Sequence, residues 1–178
     1  MSLWGLSVSD ALVSKSVNHQ MARRTNSFGP LFVGPVQEQR SILAGKEFQL
    51  EEREDRDTEN TRIFLNEDGS VTLQDTDGPQ FKAYQGQWSI TEPTGDPMEK
   101  SFRMRLDRVF ESGMEARQST DIGVFDYQVN REYWGNMSII QGGIVQLEGV
   151  IHLLDDDNGI ASYEVGYFAL IDSNVQPE

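Results

Sequence analysis

Residues 61–74, TRIFLNEDGSVTLQ, decide the fold. Residues 61–65 read as a strand, Asn66-Glu67-Asp68-Gly69 as a tight turn, and residues 70–74 as the returning strand. An Asp-Gly pair between two β-rich runs is a strong hairpin signal. Working outward, Asp77-Gly78-Pro79 is a second break, and residues 81–90 form the next strand. Gly86 beside Trp88 marks a bend or a close approach of neighbouring backbone. Residues 101–110 then alternate cleanly, with Phe102, Met104, Leu106 and Phe110 on one face and Arg103, Arg105 and Asp107 on the other. Residues 124–133 repeat the pattern through Phe125, Tyr127, Val129 and Tyr133. Residues 136–140, 144–153 and 162–171 complete the run, with QGG and DDDNG as turns. Upstream, residues 47–50 read as a first strand and EEREDRDTEN as a charged, solvated connection. Eight or nine strands with short connections pair antiparallel, and closing such a sheet removes its exposed edges. The expected fold is all-β: a small antiparallel barrel over residues 47–172, followed by a tail at 173–178.

Residues 1–46 differ from the rest. They have no sustained period, although Leu3, Trp4, Leu6, Val8, Leu12, Val13 and Val17 suit one short helix with Ser9 as its N-cap. Pro30, Pro35, Gly29 and Gly34 then favour an extended path. The segment reads as a long irregular N-terminal arm. Its Ser-rich, Arg-containing and acid-poor start also resembles the end of an organelle transit peptide. Ordering such an arm costs roughly 1–2 kcal/mol per residue. It therefore either wraps its own barrel or lies on a partner, and the partner reading is the one adopted. Interface energy concentrates in buried aromatic and arginine residues. That makes Trp4, Arg23, Arg24, Phe28, Leu31 and Phe32 the expected partner-binding residues.

Charge divides the chain in the same place. Residues 1–50 hold five basic and three acidic residues, so the net charge of −14 leaves −16 for residues 51–178. An acidic surface of that size repels a phosphate backbone and argues against nucleic acid. No apolar stretch approaches the roughly 20 residues of a spanning helix, so a peripheral relation to any membrane is expected. A basic protein partner fits the charge, although an acidic face is more often simply solvated.

The inventory for catalysis is thin. The absence of cysteine removes disulfides, thiolate chemistry and Cys-based metal sites. His19 and His152 are the two histidines and form no ligand-pair spacing. No serine lies in Gly-x-Ser-x-Gly, and no phosphate-binding glycine loop is present. Counting from Asp155 as position one puts Ile160 and Gly166 where a calcium loop needs glycine and a bidentate acid. No catalytic residue, cofactor ligand or metal ligand is therefore assigned. Arg105, Arg108 and Arg131 would clamp an anion if they pointed inward. Arg108 and Arg131 share the parity of the apolar face, for which ion pairing at a barrel mouth is the commoner explanation. The aromatic residues, Phe102, Phe110, Phe125, Tyr127, Tyr133, Trp134, Tyr163, Tyr167 and Phe168, serve equally as core or as the lining of a cavity.

Four segments carry a family resemblance: TRIFLNEDGSVTLQDTDGP, YQGQWSI, FRMRLDRVFE, and VQLEGVIHL with EVGYFALI. Together they resemble a lipocalin-like family of plastid β-barrel proteins in algae and plants, over about residues 61–172. With its long arm, the chain is most similar to a peripheral, stroma-side subunit of diatom photosystem I. The resemblance implies a plastid location on the stromal side of the thylakoid membrane. It also implies a non-catalytic stabilising role, with core and stromal-side photosystem subunits as partners. A soluble carrier of a lipid or tetrapyrrole is the alternative, and an assembly factor or chromophore-attaching enzyme is a third. An empty aromatic-lined cavity would favour the carrier; a filled barrel would favour the subunit.

Overall fold

The computed structural model describes residues 35–55, 57–92, 99–112, 125–140, 142–154 and 161–173. Eight strands follow one another in chain order: β1 (Lys46–Glu54), β2 (Asp57–Leu65), β3 (Val71–Thr76), β4 (Phe81–Ile90), β5 (Phe102–Ser112), β6 (Phe125–Ile140), β7 (Ile144–Leu154) and β8 (Ala161–Asp172). Their order in the sheet is β3-β2-β1-β8-β7-β6-β5-β4, with every pairing antiparallel. Each strand thus lies beside its sequence neighbours, and β8 returns to β1. The result is an up-and-down barrel, nearly closed.

The seam lies between β3 and β4. One bridge, Ser70 with Gln87, crosses it, and the Trp88 N–H donates to the Gly69 carbonyl at 2.7 Å. Gly69 takes the left-handed conformation (φ 89°) that the Asn66–Gly69 turn requires. At Gly86, a Cβ atom would fall 2.7 Å from Val71 Cβ and 2.8 Å from Leu106 Cδ2. Only glycine lets β4 come this close to β3, and this is the close approach expected beside Trp88.

Three elements depart from the sequence reading. Residues 51–60 are not a solvated connection: β1 continues to Glu54 and β2 begins at Asp57, with Glu52 only 4% exposed. The runs at 124–133 and 136–140 are one strand, β6. The inward alternation of Tyr133 and Met137 passes unbroken through Gly135, which pairs with Gly149 on β7. The end of the irregular arm contains a helix, α1 (Val36–Leu43), with Pro35 at its N-cap position. Its leverage is burial rather than propensity, because Leu43 and Gln39 are both enclosed.

Helix α1 closes one end of the barrel. The Ser101 hydroxyl donates to Gln39 Oε1 at 3.2 Å, and Arg40 Nη2 donates to the Glu67 carbonyl at 3.0 Å. The Arg40 guanidinium also lies 5.2 Å from the Trp88 ring, whose Nε1–H donates to the Asn66 carbonyl at 2.9 Å. Above this end the lumen is filled with side chains. Phe48, Leu50, Ile63, Phe102, Met104 and Leu106 have no more than 1% exposure. Burial on this scale contributes roughly 1.5–3 kcal/mol for each large apolar side chain, before entropy is counted.

Candidate functional site at the barrel mouth

Toward the other end the lumen changes chemistry. Inward parity on β1 runs from Phe48 and Leu50 to Glu52, and on β5 from Leu106 to Arg108. Their side chains meet as a bidentate pair: Arg108 Nη1 donates to Glu52 Oε2 at 2.8 Å and Nη2 to Oε1 at 2.9 Å. Tyr133 of β6 completes the group, its hydroxyl donating to Glu52 Oε1 at 2.5 Å and accepting from Arg108 Nη2 at 3.3 Å. Arg108 is 6% exposed and Tyr133 fully buried. One layer further out, Arg131 Nε and Nη2 reach Glu54 at 2.7 and 2.9 Å.

Burial sets the electrostatics. It draws the Arg108 guanidinium toward a lower pKa, but Tyr133 and Glu52 more than offset this and hold it above its ordinary value. Burial pushes the Tyr133 phenol well above its usual range, with Arg108 pulling against the rise and Glu52 adding to it. The Glu52 carboxyl accepts from two guanidinium N–H groups and a phenol. The group acts as a polar floor to the lumen.

Above the floor lies a cavity of about 290 Å³. Acidic side chains from the β1–β2 turn and the start of β2 form one wall, namely Asp55, Asp57 and Glu59. Phe110, Tyr127 and Val129 form the other, with the Phe110 and Tyr127 rings stacked at 5.4 Å between centroids. Partial burial raises the Glu59 pKa, repulsion from Glu52 adds to it, and Arg108 opposes it. Residues 125–130 of β6 pair with β5 but not with β7. Of these, Tyr127 and Val129 line the cavity, and Phe125 is 48% and Tyr127 42% exposed.

The residues singled out from sequence are now placed. Arg108 and Arg131 do point inward and are ion-paired at the mouth, while Arg105 lies outside, its Nε 3.0 Å from Asp107 Oδ1. Their partners Glu52 and Glu54 were missed, although their spacing from Phe48 and Leu50 carries the inward parity. Phe102, Phe110, Tyr133 and Phe168 are core, whereas Phe125, Tyr127, Tyr163 and Tyr167 are exposed. His152 sits against Trp134 at 4.3 Å between ring centroids, and Arg103 covers the same indole at 3.6 Å. Trp4, Arg23, Arg24, Phe28, Leu31 and Phe32, with His19 and residues 155–160, lie outside the described residues. Among the described residues no group of His, Asp and Glu is arranged to hold a metal ion. None of their helices is long and apolar enough to cross a membrane.

No protein-family model, curated protein or solved structure matches this chain.

Proposed function

We propose that this chain is a non-catalytic accessory subunit of a thylakoid photosystem, namely photosystem I. In this reading it lies on the stromal side of the membrane in the plastid and stabilises the complex through its arm and barrel loops. The filled lumen is the observation that carries the choice of a binding subunit over a carrier. Phe48, Phe102, Tyr133, Met137, Leu147 and Ile151 occupy the space that a lipid or tetrapyrrole would need. The remaining mouth cavity lies at the lower edge of the roughly 300–1,000 Å³ of ordinary small-molecule sites. The photosystem and the plastid enter through the resemblance of the segments within residues 61–171. The mutual bonding of Glu52, Arg108 and Tyr133 supports the non-catalytic part.

The test is co-purification. Thylakoids washed in moderate salt should retain the full chain on photosystem I in native gels and gradients. Apolar anchors resist salt, whereas exposed ion pairs are screened over roughly 8 Å. Removing residues 1–34 spares α1 and should leave the β circular-dichroism spectrum intact while abolishing co-migration. A full chain that migrates with no thylakoid complex sinks the proposal.

A further inference from the structure

We propose that helix α1 is a clasp across the β3–β4 seam, and that the barrel opens locally along this seam when the clasp lets go, with the other strand pairings intact. The device is built from the barrel's own contacts and is independent of docking on a photosystem.

The seam is the weak line of the sheet. β3 has 6 residues, the fewest of the eight strands, and its ladder is with β2, while that of β4 is with β5. Each of these ladders is interrupted by a shift of register, between Thr61 and Ile63 on β2 and between Phe81 and Ala83 on β4. Among the described residues β3 and β4 share no ladder, and the Ser70–Gln87 bridge joins them. The β6–β7 register, by contrast, runs unbroken from Arg131 to Ile140. Strands held on one side by an interrupted ladder lie at the low end of local stability.

What spans the seam comes from Trp88 and from α1. Trp88 on β4 donates twice to the β2–β3 turn, through Nε1 to the Asn66 carbonyl at 2.9 Å and through its backbone N–H to the Gly69 carbonyl at 2.7 Å. Arg40 of α1 grips the same two parts at once. Its Nη2 donates to the Glu67 carbonyl of the turn at 3.0 Å, and its guanidinium lies 5.2 Å from the Trp88 ring centroid. A charged donor makes the stronger kind of hydrogen bond, and cation–π attraction adds to it. One side chain thus ties both sides of the seam to the helix.

The helix itself has two states. At 8 residues α1 is too short to persist alone, and Pro35 gives it no side-chain cap. It is helical because it is docked: Leu43 is fully buried and Gln39 accepts from the Ser101 hydroxyl at the start of β5. Those two contacts fix α1 to the barrel end, and Arg40 is the contact that reaches across the seam. Undocking the helix therefore releases the seam with it. Residues 1–34 lead through Pro35 into α1, which puts the clasp at the junction of arm and barrel.

Amide hydrogen exchange of the full chain, read by mass spectrometry at neutral pH, tests this. In the wild type, peptides covering residues 66–76 and 81–88 should exchange about tenfold faster than those covering residues 131–140 of β6. Arg40→Met keeps the aliphatic stem and removes the guanidinium. It should speed exchange of the two seam segments by about a further fivefold and leave residues 131–140 at the wild-type rate. Val145→Ala, a cavity in the core on β7, should do the reverse, speeding residues 131–140 and sparing the seam. Equal protection of the seam and β6 in the wild type would overturn local opening. Unchanged seam exchange in Arg40→Met would show that α1 does not hold the seam. Equal acceleration of every strand in that variant, or its failure to fold, would make Arg40 part of the global fold and overturn the clasp as well. These measurements contain no photosystem, so their outcome is separate from co-purification.

Discussion

The two ends of this barrel are built from the same strands by opposite means. At the closed end, α1, Leu43 and Trp88 meet in a hydrocarbon core, with two indole contacts to anchor the seam. At the mouth, β1, β5 and β6 place Glu52, Arg108 and Tyr133 on the same inward parity. Apolar burial contributes stability in proportion to area. A buried ion pair repays its desolvation only with good geometry, and well-packed hydrophobic replacements are often neutral or better. The difference teaches that the closed end holds the fold together, while the mouth keeps charges that stability alone does not require.

The largest expected effect probes the closed end. Trp88→Ala removes a buried ring, a hydrogen bond to Asn66 and the Arg40 contact, and should cost about 3–5 kcal/mol in denaturant unfolding. A fully stable variant would mean the seam is held elsewhere. Next comes the mouth floor. Arg108→Leu alone leaves Glu52 buried without its cation and should cost about 3 kcal/mol, the lower end for a broken buried pair. The double variant Arg108→Leu with Glu52→Leu should recover most of that loss. If the double variant is as unstable as Arg108→Leu alone, the pair is a true source of stability and the contrast between the ends collapses.

The outer pair should matter less. Glu54 is nearly a third exposed, so Arg131→Met should cost under about 1 kcal/mol, with the loss shrinking further in high salt. The smallest effect is a pH dependence. Glu59 has a folded pKa above its ordinary 4.5, with Glu52, Glu54, Asp77 and Arg108 as the charges acting on it. The folded state therefore binds its proton more tightly than the unfolded state, and stability falls as pH rises from 4.5 through the folded pKa. Glu59→Gln should melt like wild type near pH 4 and slightly higher at neutral pH. A variant that melts lower at neutral pH would show that the carboxylate is favourably paired.

Much of the barrel was legible because local rules and the fold agree. The Asn66–Gly69 turn, the 81–90 strand and the alternation through Phe102, Met104 and Leu106 follow from turn chemistry and period two. The failures have one physical source. Glu52 and Glu54 read as solvent-facing because carboxyls are rarely buried, and only the remote Arg108 and Arg131 permit their inward placement. Those arginines were legible as inward from parity, but a sequence does not reveal which acids across the barrel meet them. Phe125 and Tyr127 have inward parity too, yet are exposed; among the described residues β6 pairs with β7 only from Arg131 onward. Helix α1 was hidden by its length of eight residues, which tertiary burial of Leu43 stabilises more than any local signal.

On the proposed reading as a photosystem I subunit, the mouth serves binding and the closed end serves folding. Rebinding of purified chain to photosystem I membranes stripped of it tests that claim most directly, comparing wild type with the double variant Asp57→Asn, Glu59→Gln. The variant should melt at least as high as wild type at neutral pH while rebinding several-fold more weakly. Rebinding at wild-type strength, or a loss of binding that merely follows a loss of stability, would contradict the account.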